Sequence, residues 1–335
     1  MSDSITGLLS IELGRVVLGP GPWRTGFPRS VQMVTIAGMA PKNLYSFVLS
    51  GVALVLVELG LAPPQLGAEQ PAPAQSAYSV AQAVRLAERG STAEAIQVLD
   101  EVVTKDPLNI KARILRGRLR ESLGQFEAAT ADYDRWVELA KEDSAAWQQR
   151  GTARFKGGDA RGSIEDFDRA IELNPRLEQR HWQRGLSYYY DGRFREGAKQ
   201  FELYQTYDAN DVENVAWKFL CQAKVDGVEQ AQQDMMPLDA EDTRVPMMEI
   251  DALYRGKAQV DEVFRAARSG SPTGDQQKYR LFYANLYVGL YYDAHGQLDK
   301  AREHILAADQ LKNDHYMWYV AHLHANRQPT ANGTP

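Results

Sequence analysis

The stretch QQRGTARFKGGDARGSIEDFDRAIELNP, residues 148–175, carries two glycines seven residues apart, Gly151 and Gly158. A glycine inside a helix destabilises it by about 1 kcal/mol relative to alanine, so Gly151 needs a structural reason. The same pair recurs along the chain, and its second member returns every 34 residues, at Gly90, Gly124, Gly158 and Gly192. A fixed period of this kind indicates a repeat architecture.

Each period predicts a helix, a short turn and a second helix. The first glycine lets the first helix lie close to its partner, and the expected close crossings are at Gly117, Gly151 and Gly185. The second glycine ends the first helix, because glycine tolerates the left-handed conformation. One large side chain per period is expected to fill the layer between the helices, and these side chains are Leu99, Tyr133, Phe167 and Phe201.

The small residue, the aromatic residue and a closing proline such as Pro175 together resemble the signature of the tetratricopeptide repeat (TPR). The resemblance covers four units over residues 76–211 and one further unit over residues 282–315. It implies an all-α fold, a helix–turn–helix solenoid that winds as a right-handed superhelix. Residues 316–335 are predicted to form a C-terminal capping helix, which ends near Asn326, and a loose tail.

The segment between these units, residues 212–281, departs from the pattern and is predicted to hold degenerate helical repeats. One helical pair is expected over residues 212–236, and a shortened pair over residues 246–268 turns at Gly256. Residues 269–275 are a loop by composition. The glycine pair then returns at Gly289 and Gly296, which mark the last repeat.

The first 75 residues differ in composition from the repeats. Residues 1–43 show no clear pattern, whereas residues 44–61 are mostly apolar and residues 62–75 are a linker rich in Pro, Ala and Gln. A charged residue, an apolar run and small residues follow one another in a secretory signal peptide, and Ala68 and Ala74 end candidate cleavage sites. Because a bilayer span takes about 20 residues, a retained signal anchor is the alternative. Either interpretation predicts export to the periplasm or cell envelope.

Composition limits the classes of function. The chain has a net charge of −6, which argues against nucleic acid as a partner because binding to a phosphate backbone needs a basic surface. Its single cysteine, Cys221, cannot form a disulfide or a thiolate metal site within one chain, and a buried apolar role is expected. We predict no catalytic residue, no metal and no cofactor, because the sequence contains no phosphate loop, nucleophile elbow or zinc-protease signature.

Histidines and carboxylates receive structural interpretations. His322 and His324 are two residues apart on a predicted helix and so point to different faces, unlike a helical zinc pair. His181 is predicted to lie at a surface position of a first helix, solvated or packed against Trp182. The carboxylates of SIEDFDRAIE, residues 163–172, are predicted to face water.

The first helices of such a solenoid line its concave surface, which repeat proteins use to bind partners. Aromatic and amide side chains at helical spacing on these helices suit an extended peptide, because rings anchor apolar groups and amides bind backbone groups. We therefore predict a partner-binding surface made of Arg118, Gln148, Gln149, Thr152, Phe155, Trp182, Gln183, Leu186, Tyr189 and Tyr190. Of these, Trp182, Leu186 and Tyr189 are expected to be partly exposed, and the alternative is that the tyrosines of residues 188–190 pack between repeats.

The order of TPR units, a degenerate middle, a further unit and an aromatic capping helix also resembles the NlpI group of bacterial envelope lipoproteins. In that group the solenoid is an adaptor that dimerises and holds other proteins together. The resemblance spans residues 76–326 and implies adaptor behaviour and a candidate homodimer. This chain departs from the group because no lipid-bearing cysteine follows its apolar segment.

Two functional hypotheses follow from the sequence. The first is a non-enzymatic adaptor of the cell envelope that binds peptide segments or partner proteins through its concave face. The alternative is a scaffold that self-associates and is anchored to a membrane by residues 44–61.

Overall fold

The computed structural model describes residues 79–326, and the predictions for residues 1–43, 44–61 and 62–75 and for the C-terminal tail lie outside this range. Within it the chain consists of α-helices, one 3-10 helix and turns, with no strand. The helices are α1 Val80–Glu88, α2 Thr92–Lys105, α3 Ile110–Ser122, α4 Phe126–Leu139, α5 Ser144–Lys156, α6 Ala160–Leu173, α7 Trp182–Tyr190, α8 Phe194–Gln205, α9 Val212–Asp226, α10 Val228–Gln233, α11 Met247–Tyr254, α12 Val260–Arg268, α13 Gly274–Ala294, α14 Leu298–Gln310 and α15 Tyr316–Ala325.

Among residues 79–326 consecutive helices form seven pairs, from α1 with α2 to α13 with α14. The second helix of most pairs also packs on the first helix of the next pair, whereas α11 packs on α9 rather than on α10. Helix α15 packs on α14 at the C-terminal end. The 3-10 helix Pro175–Arg180 lies between α6 and α7. The predicted fold class, an all-α solenoid of TPR-type helix pairs, is confirmed.

The first glycine of each pair is the point of closest approach within a helix pair. A β-carbon at Gly151 would lie 2.7 Å from the Phe167 ring, and one at Gly117 would lie 2.6 Å from the Tyr133 ring. Gly185 meets Phe201 in the same way, also at 2.7 Å. Because these distances are shorter than any van der Waals contact, the close crossings expected from the sequence are present.

The second glycine closes each first helix. Gly124 and Gly158 have φ angles of 74° and 90°, in the left-handed region that favours glycine. In the turn after α5, the amide of Gly158 donates to the Phe155 carbonyl, and the amide of Asp159 donates to the Arg154 carbonyl. This pair of hydrogen bonds is the Schellman motif, which satisfies carbonyl groups left free at a helix end.

A second periodic feature, which the sequence interpretation did not identify, is an arginine that joins neighbouring helix pairs. Arg150 donates from Nε and Nη2 to Asp166 at 2.9 and 2.6 Å, and from Nη1 to Asp134 at 2.8 Å. The equivalents one period away are Arg116 with Asp132 and Asp100, and Arg184 with Gln200 and Asp168. Each arginine therefore links the second helix of its own pair to the second helix of the preceding pair. We call this series of contacts the arginine ladder.

The prediction that the carboxylates of residues 163–172 face water is wrong for Asp166, which belongs to the arginine ladder. Glu165 and Glu172 are exposed, but the Asp166 side chain is only 1% exposed and lies under the Arg150 guanidinium. Burial raises the pKa of Asp166, and the hydrogen bonds and charge of Arg150 oppose that shift. The prediction failed because the arginine that covers Asp166 is 16 residues away in the chain and on another helix.

The C-terminal half keeps the helix pairs but changes their lengths. Helices α11 and α12 are short, and α13 is the longest helix, starting at Gly274 within the predicted loop 269–275. Cys221 is fully buried in α9, where burial raises the pKa of its thiol. No helix among residues 79–326 has the length and apolar character that crossing a membrane requires.

Candidate functional site

The predicted binding residues lie on three consecutive first helices. Arg118 is on α3, four residues from Gln148 to Phe155 are on α5, and five residues from Trp182 to Tyr190 are on α7. The repeat brings α3, α5 and α7 to equivalent positions, so their side chains form one surface, which we call the first-helix face. The structure places some of these side chains together on this face and buries others in the core.

The amide side chains of the first-helix face bind one another. Gln148 Nε2 donates to Gln183 Oε1 at 2.8 Å, and Gln183 Nε2 is 3.4 Å from the Thr152 hydroxyl. Gln148 Oε1 is also 2.7 Å from His181 Nε2. Three predicted residues therefore form one network between α5 and α7, and their polar groups are already engaged in the unbound chain.

His181 completes this network and does not lie at the surface as predicted. It is 4% exposed, its ring lies 4.5 Å from the Phe167 ring, and its Nδ1 accepts the Arg184 amide at the start of α7. Burial, with the nearby charge of Arg184, lowers the pKa of His181 to about 3. The sequence interpretation missed this role because it assigned His181 to a helix surface, whereas it caps the N-terminus of α7.

Three predicted residues are core residues. Leu186 is 1% exposed and Phe155 and Tyr189 are fully buried, so the expectation that Leu186 and Tyr189 are partly exposed is wrong. The Tyr189 ring lies 5.2 Å from the Trp217 ring of α9 and 5.4 Å from the Phe194 ring of α8. The next helix pair thus covers the C-terminal half of α7, and only Trp182 of the predicted apolar trio remains partly exposed.

Three predicted aromatic residues contact α15, the last helix among residues 79–326. Phe155 stacks on Tyr316 of α15 with ring centroids 5.6 Å apart, and Trp182 meets the same ring edge-on at 4.9 Å. Tyr190 donates its hydroxyl hydrogen bond to the Val320 carbonyl at 3.3 Å. The first-helix face therefore already holds a helix, and that helix belongs to the same chain.

Two further residues that the sequence interpretation did not select hold Tyr319 of α15. The Phe126 ring lies 5.6 Å from the Tyr319 ring in an edge-on arrangement, and Lys156 Nζ lies 4.6 Å from the centre of that ring. We call Phe126, Phe155, Lys156, Trp182 and Tyr190 the α15 seat. Their link to α15 could not be found from sequence periodicity, because the contacts join residues at least 130 positions apart.

A buried acidic group lies beneath the seat. Glu121 is 5% exposed and accepts hydrogen bonds from Lys156 Nζ, Gln149 Nε2 and the Tyr133 hydroxyl, at 2.8, 2.8 and 2.7 Å. The Lys156 ammonium is thereby placed between a carboxylate and the ring of Tyr319. A cation over an aromatic face attracts it by about 0.5 to 2 kcal/mol, more when the site is desolvated.

Arg118, the remaining predicted residue, is half-buried on α3 near Tyr133. Among residues 79–326 its guanidinium has no hydrogen bond or ion pair, unlike Arg116 and Arg120 on the same helix. The part of the chain that the structure describes contains no group of three or more His, Cys, Asp or Glu side chains arranged to hold a metal ion.

The two histidines of α15 lie on different sides, as predicted. His322 Nδ1 is 2.9 Å from Asp309 of α14 and its ring stacks on Trp318, whereas the His324 ring meets Tyr190 of α7 at 6.2 Å. Helix α15 consequently has one face on α14 and one on the first-helix face.

The chain is similar to several solved structures, and part of it matches a family model. No curated protein matches the chain. Among solved structures, MamA is 18% identical, with 56% of this chain and 96% of MamA covered and a TM-score of 0.42. A tetratricopeptide repeat protein from Parabacteroides merdae is 13% identical, with 74% of this chain and 97% of that chain covered and a TM-score of 0.47.

A third similar structure, YrrB, is described as a TPR protein with an unusual peptide-binding site. It is 15% identical, with 66% of this chain and 95% of YrrB covered and a TM-score of 0.35. These identities and TM-scores are low, and the comparisons do not confirm the resemblance to the NlpI group. Residues 80–146 match the family model of the tetratricopeptide repeat, and the helix pairs of residues 79–326 form the solenoid that this repeat builds.

Proposed function

We propose that the protein is a non-enzymatic adaptor that binds segments of other proteins on its first-helix face. TPR proteins mediate protein–protein interactions, and their scaffolds are generally non-enzymatic. The observation that carries the proposal is the α15 seat, where aromatic rings of α5 and α7 contact an aromatic ring of helix α15. A surface that holds one helix through aromatic side chains has the residue types most often found at binding hot spots.

Arg118 gives the first-helix face a positive charge in a chain with a net charge of −6, whereas the Lys156 ammonium is already paired with Glu121. Because the Arg118 guanidinium has no ion pair within the described residues, it is available for a carboxylate or backbone carbonyl of a partner. Trp182, on α7, supplies a large apolar anchor that is half-buried. The partner segment is accordingly expected to combine an apolar anchor with an acidic or carbonyl acceptor.

Affinity capture with the full chain tests the proposal. The variant Arg118→Ala, Trp182→Ala should lose partners that the unaltered chain captures from its native cells, because truncating a hot-spot residue costs at least about 2 kcal/mol of binding. The control variant Arg161→Ala, Glu165→Ala changes side chains that are 82% and 68% exposed on the second-helix side, and it should retain them. Equal loss in both variants, or no loss in the first while both melt normally, contradicts the proposal.

We further propose that the adaptor acts outside the cytoplasm, in the envelope, as its resemblance to the NlpI group implies. The proposal is supported by the order of features in residues 42–75, where an apolar run is followed by small residues and prolines. Fusing residues 33–80 to a reporter that is active only after export should give activity. Activity confined to a cytoplasmic reporter would refute this location.

A further inference from the structure

Helix α15 presents a regular set of side chains to its seat. Tyr316, Tyr319, Leu323 and His324 lie at positions i, i+3, i+7 and i+8, which share one face of an α-helix. Tyr316 meets Phe155 and Trp182, Tyr319 meets Phe126 and Lys156, and His324 meets Tyr190. Leu323 lies over the turn at Gly158, where an added β-carbon would be 3.7 Å from Leu323 Cδ2. This is the anchor spacing of a helix that docks in a groove.

The opposite face of α15 attaches it to the last repeat. Trp318 Nε1 donates to the Asp309 carbonyl at 2.8 Å, and His322 Nδ1 lies 2.9 Å from the Asp309 carboxylate. Helix α15 can therefore stay on α14 through one face after the other face has left the seat.

The repeats that form the seat have their own internal supports. Their helix pairs close on Gly117, Gly151 and Gly185, and the arginines of the ladder join successive pairs. None of these contacts uses a residue of α15. Between α15 and its seat the contacts are ring-to-ring and cation–ring contacts, with hydrogen bonds that join the Tyr190 hydroxyl to the Val320 carbonyl and to His324 Nδ1. The seat can open without loss of the helix pairs.

We propose that the α15 seat is a receptor for an amphipathic helix of a partner protein, with aromatic side chains at positions i and i+3 and leucine at i+7, and that α15 is its tethered internal ligand. A partner helix binds by displacing the Tyr316–Tyr319–Leu323 face of α15. This inference rests on the proposed adaptor function and names the class of segment that the first-helix face recognises. The apparent dissociation constant for a partner is then the intrinsic constant divided by the fraction of time that the seat is open.

The test uses a labelled synthetic peptide with the sequence of residues 312–326 and needs no natural partner. Its binding is compared for the unaltered chain and for the full-length variant Tyr319→Ala, Leu323→Ala, in which the internal helix is weakened. We expect the variant to bind the peptide at least about tenfold more tightly, because a larger fraction of its seats is open. Leu306→Ala, which changes an apolar side chain that is 39% exposed on α14, should bind as the unaltered chain does.

Two further arms locate the bound peptide. Adding Trp182→Ala to the opened variant should remove the gain, and so should replacing both tyrosines of the peptide by alanine. Sedimentation should show monomers with peptide bound. A dimer that forms only with an intact α15 would identify a second copy as the occupant and overturn the partner-helix assignment.

Whether the seat opens while the repeats stay folded is measured separately, on the unaltered chain. Amide hydrogen exchange of α15 should be faster than that of α5 and α6, because the seat opens without unfolding the repeats. Equal protection of α15 and α5, or a folded variant that gains no peptide affinity, overturns the inference. The proposed adaptor function has a separate test. It is contradicted if partner capture does not depend on Arg118 and Trp182.

Discussion

At the scale of the residue, Gly151 shows why the repeat needs a glycine inside a helix. The Phe167 ring occupies the place that a β-carbon would take, at 2.7 Å, and Phe167 is itself fully buried. The helix loses about 1 kcal/mol of propensity at this position. It gains a close crossing that buries a whole aromatic ring between α5 and α6, and the same exchange recurs at Gly117 and Gly185.

Gly151→Ala should therefore destabilise the chain by about 1 to 3 kcal/mol through overpacking, although alanine is the better helix former. Chemical denaturation measures the change in the free energy of unfolding. Combining it with Phe167→Leu should recover part of the loss, with a coupling of at least about 0.5 kcal/mol, because the smaller side chain leaves room for the new methyl group. Strictly additive effects would show that the crowding is elsewhere.

Stability should also depend on pH through His181. Its pKa is about 3 in the folded chain, below the usual value near 6.5, so unfolding takes up a proton between these two values. The neutral ring's contribution to the free energy of unfolding is fully present above a pH of about 6.5 and is lost as the pH falls towards 3. At pH 5 the loss is about 2 kcal/mol.

The variant His181→Asn tests this linkage, since asparagine keeps an acceptor for the start of α7 but does not titrate. The free energy of unfolding of each protein is measured between pH 7.5 and pH 5. The unaltered chain should lose about 2 kcal/mol more than the variant over this interval. Parallel pH profiles would contradict the buried, neutral His181.

At the scale of the element, helices are joined by polar contacts that no local pattern announces. Arg150 of α5 reaches the buried Asp166 of α6 and the half-exposed Asp134 of α4, and each partner is 16 residues away. Arg184 makes the equivalent contact with Gln200 in the next pair, so a neutral acceptor can occupy the same position. The ladder orients second helices relative to one another, whereas the glycine crossings set the distance within a pair.

Asp166→Ala should cost about 3 to 5 kcal/mol, because it leaves Arg150 and Arg154 partly buried next to a missing carboxylate. The matched change Asp168→Ala removes a carboxylate that is 45% exposed and paired with Arg184, and it should cost about 1 kcal/mol or less. Thermal and denaturant unfolding of the two variants make the comparison. Similar losses at both positions would count against a buried role for Asp166.

At the scale of the whole molecule, local sequence predicted the repeat better than the surface it presents. The glycine register and the ring positions were predictable because both members of each contact lie within one 34-residue period. The burial of Tyr189 was not, because it is Trp217 of the following helix pair that covers it. Nor was the position of α15, since Tyr316 and Phe155 meet although several helix pairs separate them in the chain.

We propose above that the protein binds its partners on the first-helix face. The most direct test of this proposal is a photo-crosslinking residue placed at Arg118 in the full-length chain, in the cells that produce it, with the same residue at Glu165 as the control. Arg118 is on the first helix α3, and Glu165 is on the second helix α6 with its side chain 68% exposed. If partners bind on the first-helix face, we expect covalent adducts with another protein from position 118 and few or none from position 165. Adducts from position 165 that equal or exceed those from position 118 would contradict the proposal.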